Sequence, residues 1–333
     1  MNKPNIAILG YGAVFPRGEF NVKFSTQETT NERQKPISRQ IKRAMSPSAA
    51  SAITATEHAL SMAKFDPEDK KGRVGLYAGQ YGYLNPTLSD FQAALDESDL
   101  SDSADHVQVF RELWYSNRVS PFLLTNILNN NILGMLSLHW GITGDSGAFI
   151  RDSLGSTCAL QDAVDNLRYG ECDIAVVACA GSQESDLGRQ SFTHPHSDEF
   201  GAVTLILARA DEVKPEHVQG YLEFFDYGFS HLHLSEQIQS YLSREDVQGL
   251  SHDLHHYAGS DSWLQDIPAT ASLKQFDFCQ VGGTRGCPGI LASIVAALQF
   301  YQNQSEVHRY ITVSGDNRDY LSVAGIRKVS GDF

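Results

Sequence analysis

The chain has 333 residues, 41% of them hydrophobic and 20% charged, and its 26 Lys+Arg against 40 Asp+Glu give a formal net charge of −14; this is an ordinary globular composition with material for a large core. Acidity without clustered Lys/Arg argues against a binder of nucleic-acid backbones, and no apolar run approaches the ~18–20 residues of a membrane span. The five cysteines (Cys158, Cys172, Cys179, Cys279 and Cys287) form no CxxC pair and no regular framework, which points to a reduced, cytoplasmic setting.

Taken in chain order, residues 6–9 (Ile-Ala-Ile-Leu) read as a first β-strand rather than a signal peptide. The strand runs into a tight turn at Gly10-Tyr11-Gly12, and Phe15 stands where a GxGxxG loop needs its third glycine, so a dinucleotide site is not expected. Residues 49–62 predict an Ala-rich helix, and 74–78 a strand closed by Gly79. From 121 to 140, Leu123, Leu124, Ile127, Leu128, Ile132 and Leu136 recur as one apolar face, which suits a buried helix. A short strand at 148–150 is followed by a helix over 155–169 that Gly170 stops as a C-cap. The continuous apolar runs 173–178 and 202–208 fit strands covered on both faces.

The second part of the chain replays this order: a strand at 219–225, a helix at 235–242, a strand end at 254–258, a strongly apolar helix at 288–301, and a closing antiparallel pair at 310–313 and 321–326. The alternation predicts a layered α/β fold of two pseudo-duplicated halves, 1–210 and 211–333, joined as one compact body.

Several motifs have plain structural readings. Gly282-Gly283-Thr284-Arg285-Gly286 lacks the Gly-Lys-Ser/Thr ending of a phosphate loop and reads as a turn before a helix. The clusters His194/His196, His231/His233 and His252/His255/His256 lie in polar, loop-like text without HExxH or CxxC, so surface histidines are expected and no metal. Ser153 directly precedes a helix, where a nucleophile would gain from the helix N-terminus, but its flank Asp152-Ser153-Leu154-Gly155 is not a GxSxG elbow. Cys158 falls around the helix from Ser153 and reads as a core cysteine.

The stretch Arg168-Tyr169-Gly170-Glu171-Cys172-Asp173-Ile174-Ala175 resembles the LR-x-GECD-xA phrase with which the β-ketoacyl synthase family, of the thiolase fold, ends its nucleophile helix. Residues 136–144 (LSLHWGITG), 73–79 (RVGLYAG) and 200–207 (FGAVTLIL) match further family phrases, so the resemblance covers most of the chain. It implies a thiolase-like αβαβα fold. It also places the family's nucleophilic cysteine on Ser153, its first histidine on Ala258 within 258–266, and its second on Gly283 within 281–289. The FGFGG gate is replaced by Gly315-Asp316-Asn317-Arg318-Asp319. With nucleophile, base and enolate stabiliser all replaced, the resemblance is closest to an inactive chain-length-factor partner of a type II polyketide or aryl polyene ketosynthase.

That resemblance implies a heterodimer with an active ketosynthase and an acyl carrier protein bearing a phosphopantetheine-linked chain, with neither nucleic acid, membrane, metal nor cofactor. The expected interface strand is Gly147, Ala148, Phe149, Ile150, Arg151 and Asp152, and the expected tunnel floor is Phe122, Leu124, Ile127 and Leu128. Two other readings stand beside it: a serine acyltransferase using Ser153 with a histidine such as His256, and a non-catalytic acyl-binding scaffold.

Overall fold

The computed structural model describes residues 5–14, 35–81, 107, 111, 115, 122–126, 128, 130–150, 154–181, 201–228, 231–244, 246–253, 273–277, 289–300, 308–315 and 320–329. In the first half these are β1 (Ile6–Val14), α1 (Arg39–Ala44), α2 (Pro47–Ala63), β2 (Val74–Tyr81), α3 (Leu123–Asn126), α4 (Asn131–Trp140), β3 (Ser146–Ile150), α5 (Leu154–Tyr169), β4 (Ile174–Gly181) and β5 (Gly201–Arg209). The second half has β6 (Gly220–Gly228), α6 (His231–Arg244), β7 (Gly249–Asp253), β8 (Lys274–Asp277), α7 (Gly289–Phe300), β9 (Arg309–Gly315) and β10 (Leu321–Lys328).

The strands form one sheet in the order β3-β2-β4-β5-β1-β6-β10-β9-β7-β8. Renumbered from β6, the second half has the first half's order in mirror sequence, and the orientations match as well. β2 is parallel to β3 and β4, as β7 is to β8 and β9; β5 is antiparallel to β4 and β1, as β10 is to β9 and β6. The halves join where Ile6, Ala7 and Ile8 of β1 pair antiparallel with Leu222, Tyr221 and Gly220 of β6. The duplication read from the sequence is therefore a duplication of sheet topology.

Burial explains why the strands are so apolar. Along β4, Ala175, Val177 and Cys179 face an inner cluster while Ile174, Val176, Ala178 and Ala180 face an outer one. A strand covered on both sides has no polar face to show at period two. The inner cluster collects strands of both halves around α5 and α7, α2 and α4 close the outer face of the first half, and α6 closes that of the second. These are five layers, αβαβα.

Local chemistry sets the element boundaries. Ser46 caps α2 by accepting the Ala49 N–H (3.1 Å), with Pro47 in the first turn. α5 ends at Gly170 in the left-handed region (φ 76°), whose N–H bonds the Leu167 carbonyl (3.2 Å). α6 starts at His231, so His231 and His233 lie on a helix rather than in a loop. The expected strand end at 254–258 lies outside the described residues; the described strand there is β7.

Two expectations are corrected. Gly10-Tyr11-Gly12 is no turn but the middle of β1, with a register shift between Ile8 and Gly10. Its glycines serve close packing: a Cβ on Gly12 would lie 2.0 Å from the Ala55 carbonyl oxygen of α2. The expected helix over 121–140 is split into α3 and α4, because Asn131 is buried and spends its side chain on three backbone groups. Its amide donates to the Ala44 and Thr125 carbonyls (both 2.8 Å) and accepts the Ser46 N–H (2.9 Å), fastening the ends of α1, α2 and α3 at one point. Helical periodicity does not register such a polar knot.

The α2–β1 contact gives a stability test. Gly12→Ala forces a methyl group against helix backbone that no rotamer change can clear, so a loss of roughly 1–3 kcal/mol or more is expected in urea unfolding. Wild-type stability in this variant would show that α2 does not lie on β1 as described.

Candidate functional site

α5 enters the structure at the carboxyl ends of the parallel strands β2 and β3. A Cβ on Gly79 of β2 would stand 2.6 Å from the backbone C and O of Gly155, and one on Gly155 would stand 3.2 Å from backbone atoms of Gln80 and Phe149. The first turn of α5 is thus wedged between two strand ends with no side chain intervening. In open α/β sheets this is where ligands and reacting groups collect. Ser153 immediately precedes α5 but lies outside the described residues, as do Ala258, Gly283 and His256. α5 and α7 pack together in the inner cluster, so each half directs one helix to the middle of the molecule.

The other end of α5 is held by a clamp. Arg73, just before β2, donates to Asp173 Oδ1 from Nε (3.0 Å) and a terminal nitrogen (2.6 Å), and to the carbonyls of Gly170 (3.0 Å) and Glu171 (3.2 Å). The Asp173 N–H in turn bonds the Arg73 carbonyl (2.9 Å). The guanidinium bond and charge hold the Asp173 carboxyl below the usual aspartate range. Two phrases singled out in the sequence, Arg73-Val74-Gly75 and Gly170-Glu171-Cys172-Asp173, are therefore one structural device that ties the helix end to the sheet.

Beside the clamp, the buried Tyr77 hydroxyl donates to Asp145 Oδ2 (3.0 Å), which also accepts from Asn166 Nδ2 (2.8 Å). Burial pushes both the Tyr77 hydroxyl and the Cys172 thiol up. A raised thiol is the wrong direction for a nucleophile, which works as the thiolate. Cys158, expected in the core, is half-buried and is not among the residues of the inner cluster.

The expected interface and floor residues are placed in part. Gly147, Ala148, Phe149 and Ile150 lie on β3, which pairs with β2 and is the last strand of the sheet among the described residues; Arg151 and Asp152 lie outside them. Phe122 packs on the outer cluster, and Leu128 is 51% exposed. Leu124 belongs to α3, with its side chain outside the description, and Ile127 is not described.

Sequence reading missed three groups. Asp226 and His233 pair at 2.9 Å. Phe225, Tyr227 and Tyr320 form an aromatic row with centroids 5.8–5.9 Å apart. Glu223 binds Arg309 (3.2 Å), Arg327 (2.8 Å) and the Tyr241 hydroxyl (2.5 Å). Each joins residues of different elements, which periodicity within one element does not connect.

The profile described as Beta-ketoacyl synthase, N-terminal domain, matches residues 16–195. No curated protein matches the chain significantly. Among solved structures, the chain is similar to AntDE:AntF, a type II PKS acyl-carrier protein in complex with its ketosynthase bound to the hexaketide (16% identity, TM-score 0.73, 98% of this chain and 100% of that chain). It is similar also to the ishigamide ketosynthase/chain length factor (12%, TM-score 0.67, 98% and 99%) and to the PfaC keto synthase–chain length factor (11%, TM-score 0.69, 98% and 43%). These likenesses establish the thiolase-like fold.

The clamp is testable. Because the Asp173 carboxyl is held low, its contribution is present above the unfolded aspartate range and is lost as pH falls through the folded value. Asp173→Asn is expected to cost under ~1 kcal/mol, the pair being solvent-accessible. Urea midpoints of the two proteins should differ at pH 7 and converge below the folded value; a gap that widens on acidification would contradict the clamp.

Proposed function

The chain belongs to the β-ketoacyl synthase family, and from that membership we propose that it acts as the catalytically inactive, chain-length-factor-like half of a condensing heterodimer in type II polyketide or polyene biosynthesis. What carries the reading is the identity of three residues: the positions matching the family's cysteine and two histidines hold Ser153, Ala258 and Gly283. Acyl transfer needs an activated nucleophile, and decarboxylation needs donors aimed at the developing enolate. A serine without its base, an alanine and a glycine supply neither. The partner ketosynthase brings this chemistry, and an acyl carrier protein brings the growing chain. Residues 1–210 and 211–333 serve as the two halves of one body.

The sheet edges support a pairing role. β8 (Lys-Gln-Phe-Asp) is four residues long and charged at both ends, a guarded edge. β3 (Ser-Gly-Ala-Phe-Ile) has no charge and no proline, and among the described residues nothing pairs with its outer side. Left in water, such an edge is a template for another chain; paired with a ketosynthase strand, it is an interface. Residues 147–152 are assigned to that interface.

Three experiments follow. The purified chain should neither decarboxylate nor condense malonyl-carrier protein, and Ser153→Ala should leave turnover of the reconstituted pair nearly unchanged. A loss of ~100-fold or more, with acyl-Ser153 seen by mass spectrometry, would instead make the chain a serine acyltransferase.

The floor assignment is tested by product length. Each two-carbon unit adds ~2.5 Å of extended chain, so trimming a floor residue to Ala admits about one further unit. Leu128→Ala is the sharpest case, since a half-exposed side chain can be removed at little cost in folding, whereas Phe122→Ala also removes packing worth ~3–5 kcal/mol. Longer products from Leu124→Ala, Ile127→Ala or Leu128→Ala support the floor; unchanged lengths in all four variants place it elsewhere.

A further inference from the structure

The flank of α5 beside β3 carries a one-sided charge. At helical spacing, Leu154, Cys158, Gln161, Asp162 and Asp165 are half-buried and Tyr169 is exposed, a stripe that lies outside the buried inner cluster. Its centre is Asp162. A Cβ on Gly147 of β3 would lie 2.7 Å from Asp162 Oδ2, so the carboxylate rests directly over the edge strand. Asp145 has partners in Tyr77 and Asn166, and Asp165 in Gln161 and, at 4.0 Å, Arg168. Among the described residues Asp162 has no hydrogen bond and no ion pair. Burial, Asp145 and Asp165 all push its carboxyl up, and no ion pair among the described residues offsets them.

Self-pairing along β3 would make this worse. An antiparallel two-fold centred on Ala148 sets Gly147 opposite Phe149 of the copy. The two Gly147 positions then stand one strand spacing apart across the pair and two residues apart along it, roughly 8 Å. The two carboxylates above them approach within about a Debye length in a seam that excludes water. A chain of net charge −14 adds repulsion at longer range.

We propose that Asp162 is the residue that selects the partner: it disfavours a second copy of this chain across β3 and favours a ketosynthase chain that places a lysine or arginine over its own edge strand. This rests on the pairing role proposed above and adds its specificity. The device is a like-charge penalty against the wrong partner together with a charge-assisted bond to the right one.

The test needs no identified partner, because Asp162→Lys converts this chain into a stand-in carrying the complementary charge. Equimolar wild type and Asp162→Lys, mixed and read by native mass spectrometry, should give mixed dimer well above the statistical 1:2:1 share. Asp162→Asn should raise the homodimer association constant by ~10-fold or more, while Asp211→Asn, the same charge change at an exposed site away from β3, should not. A mixed dimer at or below its statistical share, or an Asp162→Asn indistinguishable from Asp211→Asn, overturns the proposal; absence of dimer in every sample counts the same way. Should Asp162→Lys lose its thermal transition, the Asn comparison decides alone. Ala148→Cys in each chain reports the seam, since directly opposed Cβ atoms there come within disulfide reach. Cross-linking without charge preference removes the role of Asp162 and leaves the edge standing. Charge preference without cross-linking removes the edge, and this inference with it.

Discussion

How closely α5 can lie on β2 sets the geometry of everything at the carboxyl end of the parallel strands. Gly79 and Gly155 meet backbone to backbone, so the helix starts in the crotch of β2 and β3 instead of riding over it on side chains. At its far end Arg73 binds the Gly170 and Glu171 carbonyls and the Asp173 carboxylate. The helix is thus fixed at both ends by the strands it lies between. Its buried side joins α7 in the inner cluster, and the half-buried stripe that includes Asp162 stands outside that cluster, over β3.

In the pairing role proposed above, that stripe links architecture to assembly. Among the described residues β3 ends the sheet, and α5 stands over it with Asp162 in the space above Gly147. Duplication of the fold gives the second half an equivalent edge, β8, yet that edge is shorter and charged. Among the described residues, one fold used twice ends in one charged edge strand and one uncharged one. On the proposed reading, in which Ser153, Ala258 and Gly283 stand at the catalytic positions, the chain keeps the wedge, the clamp and the uncharged edge strand. None of these parts requires chemistry from this chain.

Much of the fold was legible in the sequence because it rests on patterns the chain displays locally. The runs at β4 and β5 are apolar on both faces, the Gly170 stop is a single residue, and the helix–strand order recurs in each half. The errors came from contacts that join distant residues. Gly10 and Gly12 look like turn glycines until α2 is laid across them, and the helix over 121–140 looks continuous until Asn131 is seen fastening three helix ends. The clamp was half visible: both phrases stood out as family text, but their shared role needs the 100-residue separation between Arg73 and Asp173 to be closed. Asp162 gave no sequence signal beyond helical spacing, since its meaning depends on a glycine of another element. The catalytic positions were read by resemblance, and local chemistry alone identified no nucleophile.

The central claim is that condensation by the pair belongs to the partner. The most direct measurement is turnover of a reconstituted pair in which the ketosynthase's nucleophilic cysteine is changed to alanine and this chain is left intact. The account predicts no condensed product from malonyl-carrier protein, and full recovery when the cysteine is restored. Product formed with the partner's cysteine absent would contradict it, because the chemistry would then reside in this chain.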